Sequence, residues 1–476
     1  MIDTVALRKK VIDLAIQGKL TQQLPEDGNA EDLYIQIQEE RAKLIKEGKI
    51  KKEKPLPEIS DDEIPFEIPK NWKWVRWGDI SEKIQYGYNA PAKNTGRIKM
   101  VRISDIQDGK VNWDSVPYCD ISEESISDYL LHKNDILFAR TGGTVGKSYL
   151  VSDIPTDSVY AGYLIRTSYS AMICAQFIKY FMDSELYWKQ LQNGTIATAQ
   201  PNCNGNTLSK MIVPLPPVEE QKRIVDVIDT VFVQIKVIDD LQQQYESDCE
   251  ILKGKIIDAG IRGKLTEQLP EDGNAKDLYA KIQEEKAKLI KDGKIKKEKP
   301  LPDISDDEIP FDIPSNWKWV RLGSVLNEVI VPQRDKPKRF DGDIPWCRIE
   351  DADGDYMSES HSNQNVSQEI IDEMNLRVFP TGTILSACSG GSIGRILITT
   401  TELCTNQTFN GLVCSNGLYN RYLFHILKNS IGKLKKLGSG AAMEYVSQKK
   451  VSEMLIPLPP LEEQKRIVVK LEDLIS

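Results

Sequence analysis

The chain has 476 residues, 28% of them charged and 7% aromatic, an ordinary globular composition with room for roughly two to four domains. No apolar run approaches a membrane span, and the opening MIDTVALRKKVIDLAIQGKL lacks the apolar core of a secretory signal. Eight scattered cysteines without a Cys-x-x-Cys pair, and three distant histidines, argue against zinc or a disulfide framework and set the expectation of a cytoplasmic protein without a metal site.

Residues 1–80 are expected to form a shared helical region and connector. The text Gly18–Arg76 returns at Gly263–Arg321 with nine differences in 59 aligned positions, and a repeat of this kind takes precedence over other readings. Apolar residues at Leu33, Ile37, Leu44 and Ile45, with Glu39 placed to pair Lys43, predict a helix over Ala30–Lys46, copied at Ala275–Lys291. The following lysine run, prolines and acidic run predict an extended connector. Its Trp72 and Trp74, and their copies Trp317 and Trp319, are expected either to anchor it or to dock a partner.

Residues 81–210 form the first of two inserts, read as α/β with an amphipathic helix at Ala175–Gln192. Residues 211–325 carry a second shared region. It opens with IVPLPPVEEQKRIV (Ile212–Val225), matched by LIPLPPLEEQKRIV (Leu455–Val468). From Pro217 a coiled-coil-like stripe runs through Ile224, Ile228, Val231, Ile235, Ile238, Tyr245, Cys249, Leu252 and Ile256, interrupted by Gln242. Such a helix needs partners to cover it. Its end, Ile251–Leu265, repeats Ala6–Leu20, and its start, Pro217–Val231, repeats Pro460–Leu474. The two terminal segments therefore carry the text of one more central helix, and they are expected to pack antiparallel on it. Residues 326–453 form the second insert, with a helix expected at Leu418–Leu437, and residues 454–476 close the shared frame. The fold class that results is α+β: two α/β domains separated by a long antiparallel coiled-coil helix pair, in a pseudo-two-fold circular repeat.

The net charge of −9 sits mostly on the shared parts. Residues 1–80 hold 14 basic and 16 acidic side chains and residues 211–325 hold 18 and 23, against 13 and 13 in 81–210 and 14 and 15 in 326–453. A balanced insert can still turn a basic face to phosphates. GGTVGKS at Gly142–Ser148 lacks the first glycine of a phosphate loop, because Thr141 stands there, and its counterpart SGGSIGR at Ser389–Arg395 ends in arginine. Glu47-Gly48-Lys49 and Asp292-Gly293-Lys294 carry only the end of a nuclease motif, and Pro-Pro occurs only in the PLPP blocks. No catalytic residues are assigned.

Candidate nucleic-acid contacts follow from residue type. In the first insert they are Arg97, Lys99, Arg102, Arg140, the turn Thr141, Gly142 and Gly143, Lys147, and the amide-rich Gln200, Asn202 and Asn204. In the second they are Arg334, Lys336, Lys338, Arg339, Arg348, the turn Ser389, Gly390 and Gly391, Arg395, Asn406, Gln407, Lys433, Lys435, Lys436, Tyr445 and Lys449. Asn and Gln suit adenine edges and Arg suits guanine. Candidate partner contacts are the four tryptophans with Glu219, Gln221 and Arg223, and Glu462, Gln464 and Arg466.

The PLPP(V/L)EEQKRIV blocks, the LPEDGNA and EIPF(E/D)IPxNWKWVR segments and the two Gly-Gly turns resemble the specificity subunits of Type I restriction–modification systems. The resemblance implies two target recognition domains, each reading half of a bipartite, asymmetric sequence in double-stranded DNA, with helices setting the gap. It implies a non-catalytic subunit without a bound cofactor. Two copies of a modification (methyltransferase) subunit using S-adenosylmethionine, and restriction subunits using ATP and Mg2+, would be recruited. The competing reading is a coiled-coil scaffold that gathers two copies of a partner and never touches DNA. Asn406-Gln407 has no clear sequence counterpart around Ala161-Gly162-Tyr163, nor Gln200–Asn206 in Ala442–Ser447.

Overall fold

Pro216 and Pro217 end a strand ladder, and Glu219 and Glu220 suit the positive start of a helix, so strand Ile212–Leu215 gives way to the 44-residue helix Val218–Ile261. In the computed structural model, which describes residues 1–107, 109–194, 203–332, 336–438 and 444–475, the chain divides into Met1–Gln244 and Tyr245–Ser476. The division falls within that helix.

In the first unit the helix Thr4–Ile16 runs antiparallel to the start of the long helix. Arg8 pairs with Asp239 at 2.8 Å, and the Gln242 side chain accepts from the Ile2 N–H (2.6 Å) and donates to the Ile2 carbonyl (3.2 Å). The break in the apolar stripe is thus a register lock. In the second unit Leu461–Ile475 runs antiparallel to the end of the long helix, where a Cβ on Gly260 would stand 3.2 Å from Ile467. Ile224, Ile228 and Ile235 are buried as the stripe requires, but Tyr245 and Leu252 are 67% and 56% exposed. The expected stripe is covered only where a terminal helix lies against it.

The shared frame closes each insert with a two-stranded antiparallel ladder. Lys73–Arg76 pairs with Ile212–Leu215, and Lys318–Arg321 pairs with Leu455–Leu458. The connector lies along this base, stapled by a buried arginine. Arg76 makes two 2.7 Å bonds to Glu63 and donates to the carbonyls of Pro57, Glu58 and Lys210. Arg321 repeats the pattern with Glu308, Pro302, Asp303 and Glu453.

The first insert holds a four-stranded antiparallel sheet in the order Ser81–Tyr86, Leu164–Tyr169, Ile136–Ala139, Ser148–Leu150. A three-stranded sheet places Ile98–Val101 between Tyr118–Cys119 and the parallel Ser158–Tyr160. The second insert repeats the scheme, with Leu326–Ile330, Phe409–Cys414, Ile384–Ala387 and Ile396–Thr399 in the matching order. The α+β class and two-fold repeat hold.

The expected insert helices are corrected in one respect. Ala175–Gln192 is two helices, Ala175–Asp183 and Glu185–Gly194, and Leu418–Leu437 is Asn420–Asn429 followed by Ile431–Leu437. A serine stands at each break. The Ser184 hydroxyl donates to the Phe181 carbonyl (2.6 Å) and accepts from the Tyr187 N–H (3.3 Å), ending one helix and starting the next. At Ser430 the backbone alone does this: its N–H donates to the Leu427 carbonyl (3.0 Å) and its carbonyl accepts from the Leu434 N–H (2.9 Å).

Candidate nucleic-acid interface

Each Gly-Gly turn joins two strands of the larger sheet. In the first unit the buried strand Ile136–Ala139 leads through Arg140 and Thr141 into a single turn at Gly142–Thr144, and the chain returns as Ser148–Leu150. A strand follows the turn, so no helix N-terminus stands there to cradle a nucleotide phosphate. Gly142 and Gly146 have φ of +75° and +92°, Gly390 and Gly394 +56° and +96°, a region that favours glycine. Gly146 and Gly394 are also required by space. A Cβ would stand 2.6 Å from Trp188 in one unit and 2.6 Å from Ile431 in the other, on the helix after each serine break.

Three segments meet at the turn, and the two units build the meeting with the same bonds. The Arg140 N–H donates to the Tyr163 carbonyl (3.2 Å), and the Cys203 N–H donates to the Arg140 carbonyl (2.9 Å). In the second unit Cys388 takes both parts, with Thr408 (2.7 Å) and Val446 (2.9 Å). Ala161-Gly162-Tyr163 therefore stands where Asn406-Gln407-Thr408 stands, and Cys203 stands where Val446 stands. Both correspondences were invisible as text. Tyr445 bridges Ser389 directly.

Lys147 and Arg395 project from equivalent places, both exposed and without an acidic partner among the described residues. Lys433, Lys435 and Lys436 are exposed on Ile431–Leu437, the helix packed on Gly394, and Gln407 is exposed beside Cys388. Lys338 is also exposed, and Asn406 accepts from the Thr408 N–H at 3.1 Å. Other candidate cations are engaged within the fold. Arg97 pairs with Glu123, Lys99 donates to the Trp113 carbonyl, and Lys449 lies 3.7 Å from Glu453. Arg102 grips the buried Asp105 (2.7 and 3.1 Å), a hydrogen bond that raises the arginine's pKa. Arg339 is ringed by Asp341, Glu369 and Glu373, Arg348 pairs with Glu350 at 3.0 Å, and Lys336 lies over the Phe340 and Trp346 rings. Asn204 caps the helix Gly205–Lys210 by accepting from Thr207 (2.8 Å). Gln200, Asn202 and Arg334 lie outside the described residues.

The candidate partner residues are mostly spent inside each unit. Trp72 and Trp317 are buried and donate to the buried carboxylates of Glu220 (2.9 Å) and Glu463 (2.8 Å). Trp74 and Trp319 pack on Phe66 and Phe311. Gln221 and Gln464 are wholly buried, and Arg223 and Arg466 hold Asp27 and Asp272, whose carboxyls the hydrogen bonds keep below the usual range. Only Glu219 and Glu462, each paired with a lysine one turn on, face outward. Polar type alone placed these residues at the surface, whereas their bonding partners lie far along the chain. Sequence reasoning also missed Tyr86 and Tyr163, exposed aromatics beside the first turn, whose only textual signal is a glycine neighbour.

A family model for the Type I restriction modification DNA specificity domain matches residues 69–247 and again 314–476. The chain is 26% identical over 539 aligned residues to the Type I restriction enzyme EcoAI specificity subunit of Escherichia coli, covering 99% of this chain and 88% of that one. To the EcoEI specificity subunit of the same species it is 28% identical, covering 67% and 61%. Among solved structures it resembles a chain from work on assembly and conformational transition of the type I R-M system (TM-score 0.58, 20% identity, 86% and 91% coverage). It also resembles the HsdS subunit of Thermoanaerobacter tengcongensis (TM-score 0.50, 20% identity, 86% and 90% coverage). With the model matched once in each unit, the chain belongs to the family of Type I restriction–modification DNA specificity subunits.

Proposed function

We propose that the chain reads a bipartite, asymmetric sequence in double-stranded DNA, one half with each insert, without catalysing a reaction itself. The observation that carries this reading is the pair of Gly-Gly turns. They share backbone bonds and an exposed cation, Lys147 or Arg395, that pairs with no carboxylate among the described residues, while the flanking side chains differ. A shared cation suits phosphate, which is the same everywhere, and differing neighbours suit bases. The modification subunits, two copies using S-adenosylmethionine, and the restriction subunits, using ATP and Mg2+, would supply the chemistry. Because Trp72 and Trp317 are buried and Trp74 and Trp319 pack on Phe66 and Phe311, docking is assigned instead to outward residues of the frame, such as Glu219 and the exposed Val233, Val237 and Leu241 of the long helix.

The test is an exchange of residues 77–211, cut at the ladder that closes the first insert, for the insert of another family member. The protein is co-expressed with its modification subunits, and methylated adenines are mapped by single-molecule sequencing. One half of the methylated sequence should change and the other stay. An unchanged motif would favour the scaffold reading.

A further inference from the structure

We propose that Arg140 reads a guanine in the half-target of the first unit, with Tyr86 as its positioning residue. The proposal rests on the DNA-reading function above. Met1–Gln244 contains eight arginines. Seven of them, Arg8, Arg41, Arg76, Arg97, Arg102, Arg166 and Arg223, bond a carboxylate or a backbone carbonyl through the guanidinium. Arg140 bonds none among the described residues, and its Nε is buried without a partner. A guanidinium that bonds no protein acceptor keeps its terminal N–H groups for the acceptors of a ligand.

The group is nevertheless held in place. Its guanidinium carbon lies 4.7 Å from the centroid of the Tyr86 ring, a stacking that suits the planar fork. The Tyr86 hydroxyl accepts from the Gly205 N–H at 3.0 Å, and Tyr86 pairs with Ile165 in the sheet, so the platform is fixed at both ends. The Arg140 backbone is clamped between Tyr163 and Cys203. A pre-set fork of donors calls for two parallel acceptors, which DNA offers as a phosphate or as guanine O6 and N7.

The second unit decides between them. Where Arg140 stands, that unit has Cys388, fully buried, with its thiol turned to the carbonyls of Gln407 (3.5 Å) and Thr408 (3.1 Å). Where Tyr86 stands it has Val331, the residue after Ile330, the last paired position of that unit's edge strand. The cation on the other arm of the turn is kept in both units as Lys147 and Arg395. A phosphate contact needed by both halves would be kept in the same way. The one cation that is not kept is suited to a base present in only one half.

The experiment maps methylation in cells expressing the full complex with R140A, R140K, Y86L or Y86F, the insert exchange having assigned the first half. R140A and R140K should both relax one guanine of that half, reducing discrimination there roughly 5- to 150-fold while the second half stays intact. Y86L should relax the same guanine, and Y86F, which keeps the ring, should not. An intact second half reports that the variants fold. A wild-type first half without a guanine overturns the proposal. So does an unchanged motif with uniformly weaker, less salt-dependent binding, which would make Arg140 a phosphate contact. If the wild-type complex binds DNA without sequence preference, the underlying reading fails instead.

Discussion

Replacing Glu220 should destabilise the first unit more than any surface change in the frame. Its carboxylate is 0% exposed and accepts from four groups on two distant segments. These are the Thr21 hydroxyl (3.1 Å), Gln23 Nε2 (3.0 Å), Asn71 Nδ2 (3.3 Å) and Trp72 Nε1 (2.9 Å). No cation bonds it directly among the described residues. It sits instead in the first turn of the long helix, where the dipole favours its charge. Alanine would strand Trp72 Nε1 and the amides around it. At about 1–3 kcal/mol for each buried donor left unsatisfied, loss of even two such groups predicts about 2–6 kcal/mol. Glutamine keeps the shape and one acceptor oxygen but points an NH2 at the other donors, so E220Q should still cost about 1–3 kcal/mol. Glu463 is the internal replicate, accepting from Thr266 (3.2 Å), Gln268 (2.9 Å) and Trp317 (2.8 Å). Urea unfolding followed by tryptophan fluorescence should show E220A lowering one transition and E463A the other. An E220Q protein as stable as wild type would refute the reasoning, because it would mean the donors do not depend on a carboxylate.

Lys147→Ala and Arg395→Ala should each lower the slope of log binding constant against log salt by about 0.9 without altering the methylated sequence. A salt titration that neither substitution changes would remove both from the phosphate contact. Gly394→Val forces a β-branched residue into φ +96° and against Ile431, so the second unit should lose about 1–3 kcal/mol in a thermal melt, and a melt like wild type would contradict the packing at this turn. His425 is buried beside Glu472 at 3.3 Å, and burial holds its pKa below 6.5 despite that carboxylate. A depressed histidine favours the unfolded state when protons are plentiful. Stability of the second unit should therefore be full above pH ~6.5 and fall as pH drops below it. H425Q should flatten that loss, as read by unfolding midpoints from pH 7.5 to 5.5.

The text of the chain revealed those features that local periodicity controls. The helices Ala30–Lys46 and Ala275–Lys291 lie where their apolar spacing and Asn caps put them, and the long helix begins one residue after Pro217. Local chemistry was less legible where a serine divides an otherwise amphipathic run, since Ser184 acts through its hydroxyl and leaves the apolar pattern intact. Least legible were features made by residues far apart. Gln221 reads as a surface residue among charges, yet it is buried against a segment 47 positions away. That the Arg140 guanidinium stacks on Tyr86 and bonds no acceptor among the described residues depends on segments 54 positions apart, which no window of sequence contains.

The way the frame grips its inserts explains how they can diverge so far. Gln221 accepts from the Cys174 N–H (2.9 Å) and donates to the Pro216 carbonyl (2.9 Å). Gln464 accepts from the Tyr419 N–H (2.8 Å) and donates to the carbonyls of Gly417 and Pro459 (3.0 Å each). Arg76 and Arg321 reach the carbonyls of Lys210 and Glu453, and Trp77 and Leu322 donate their N–H groups to the carbonyls of Met211 and Met454 (2.8 Å each). The grips that reach the inserts, at Cys174, Lys210, Gly417, Tyr419 and Glu453, all fall on backbone, which any sequence supplies. At these points the frame holds each insert whatever its side chains are, beside side-chain contacts such as Tyr180 with Asp229 and Arg421 with Glu472. Gln221→Leu tests this directly. It leaves the Cys174 N–H buried without an acceptor, about 1–3 kcal/mol, and the same loss should appear with the native insert and with an exchanged one. A penalty confined to the native insert would mean that side chains, not backbone, carry the grip.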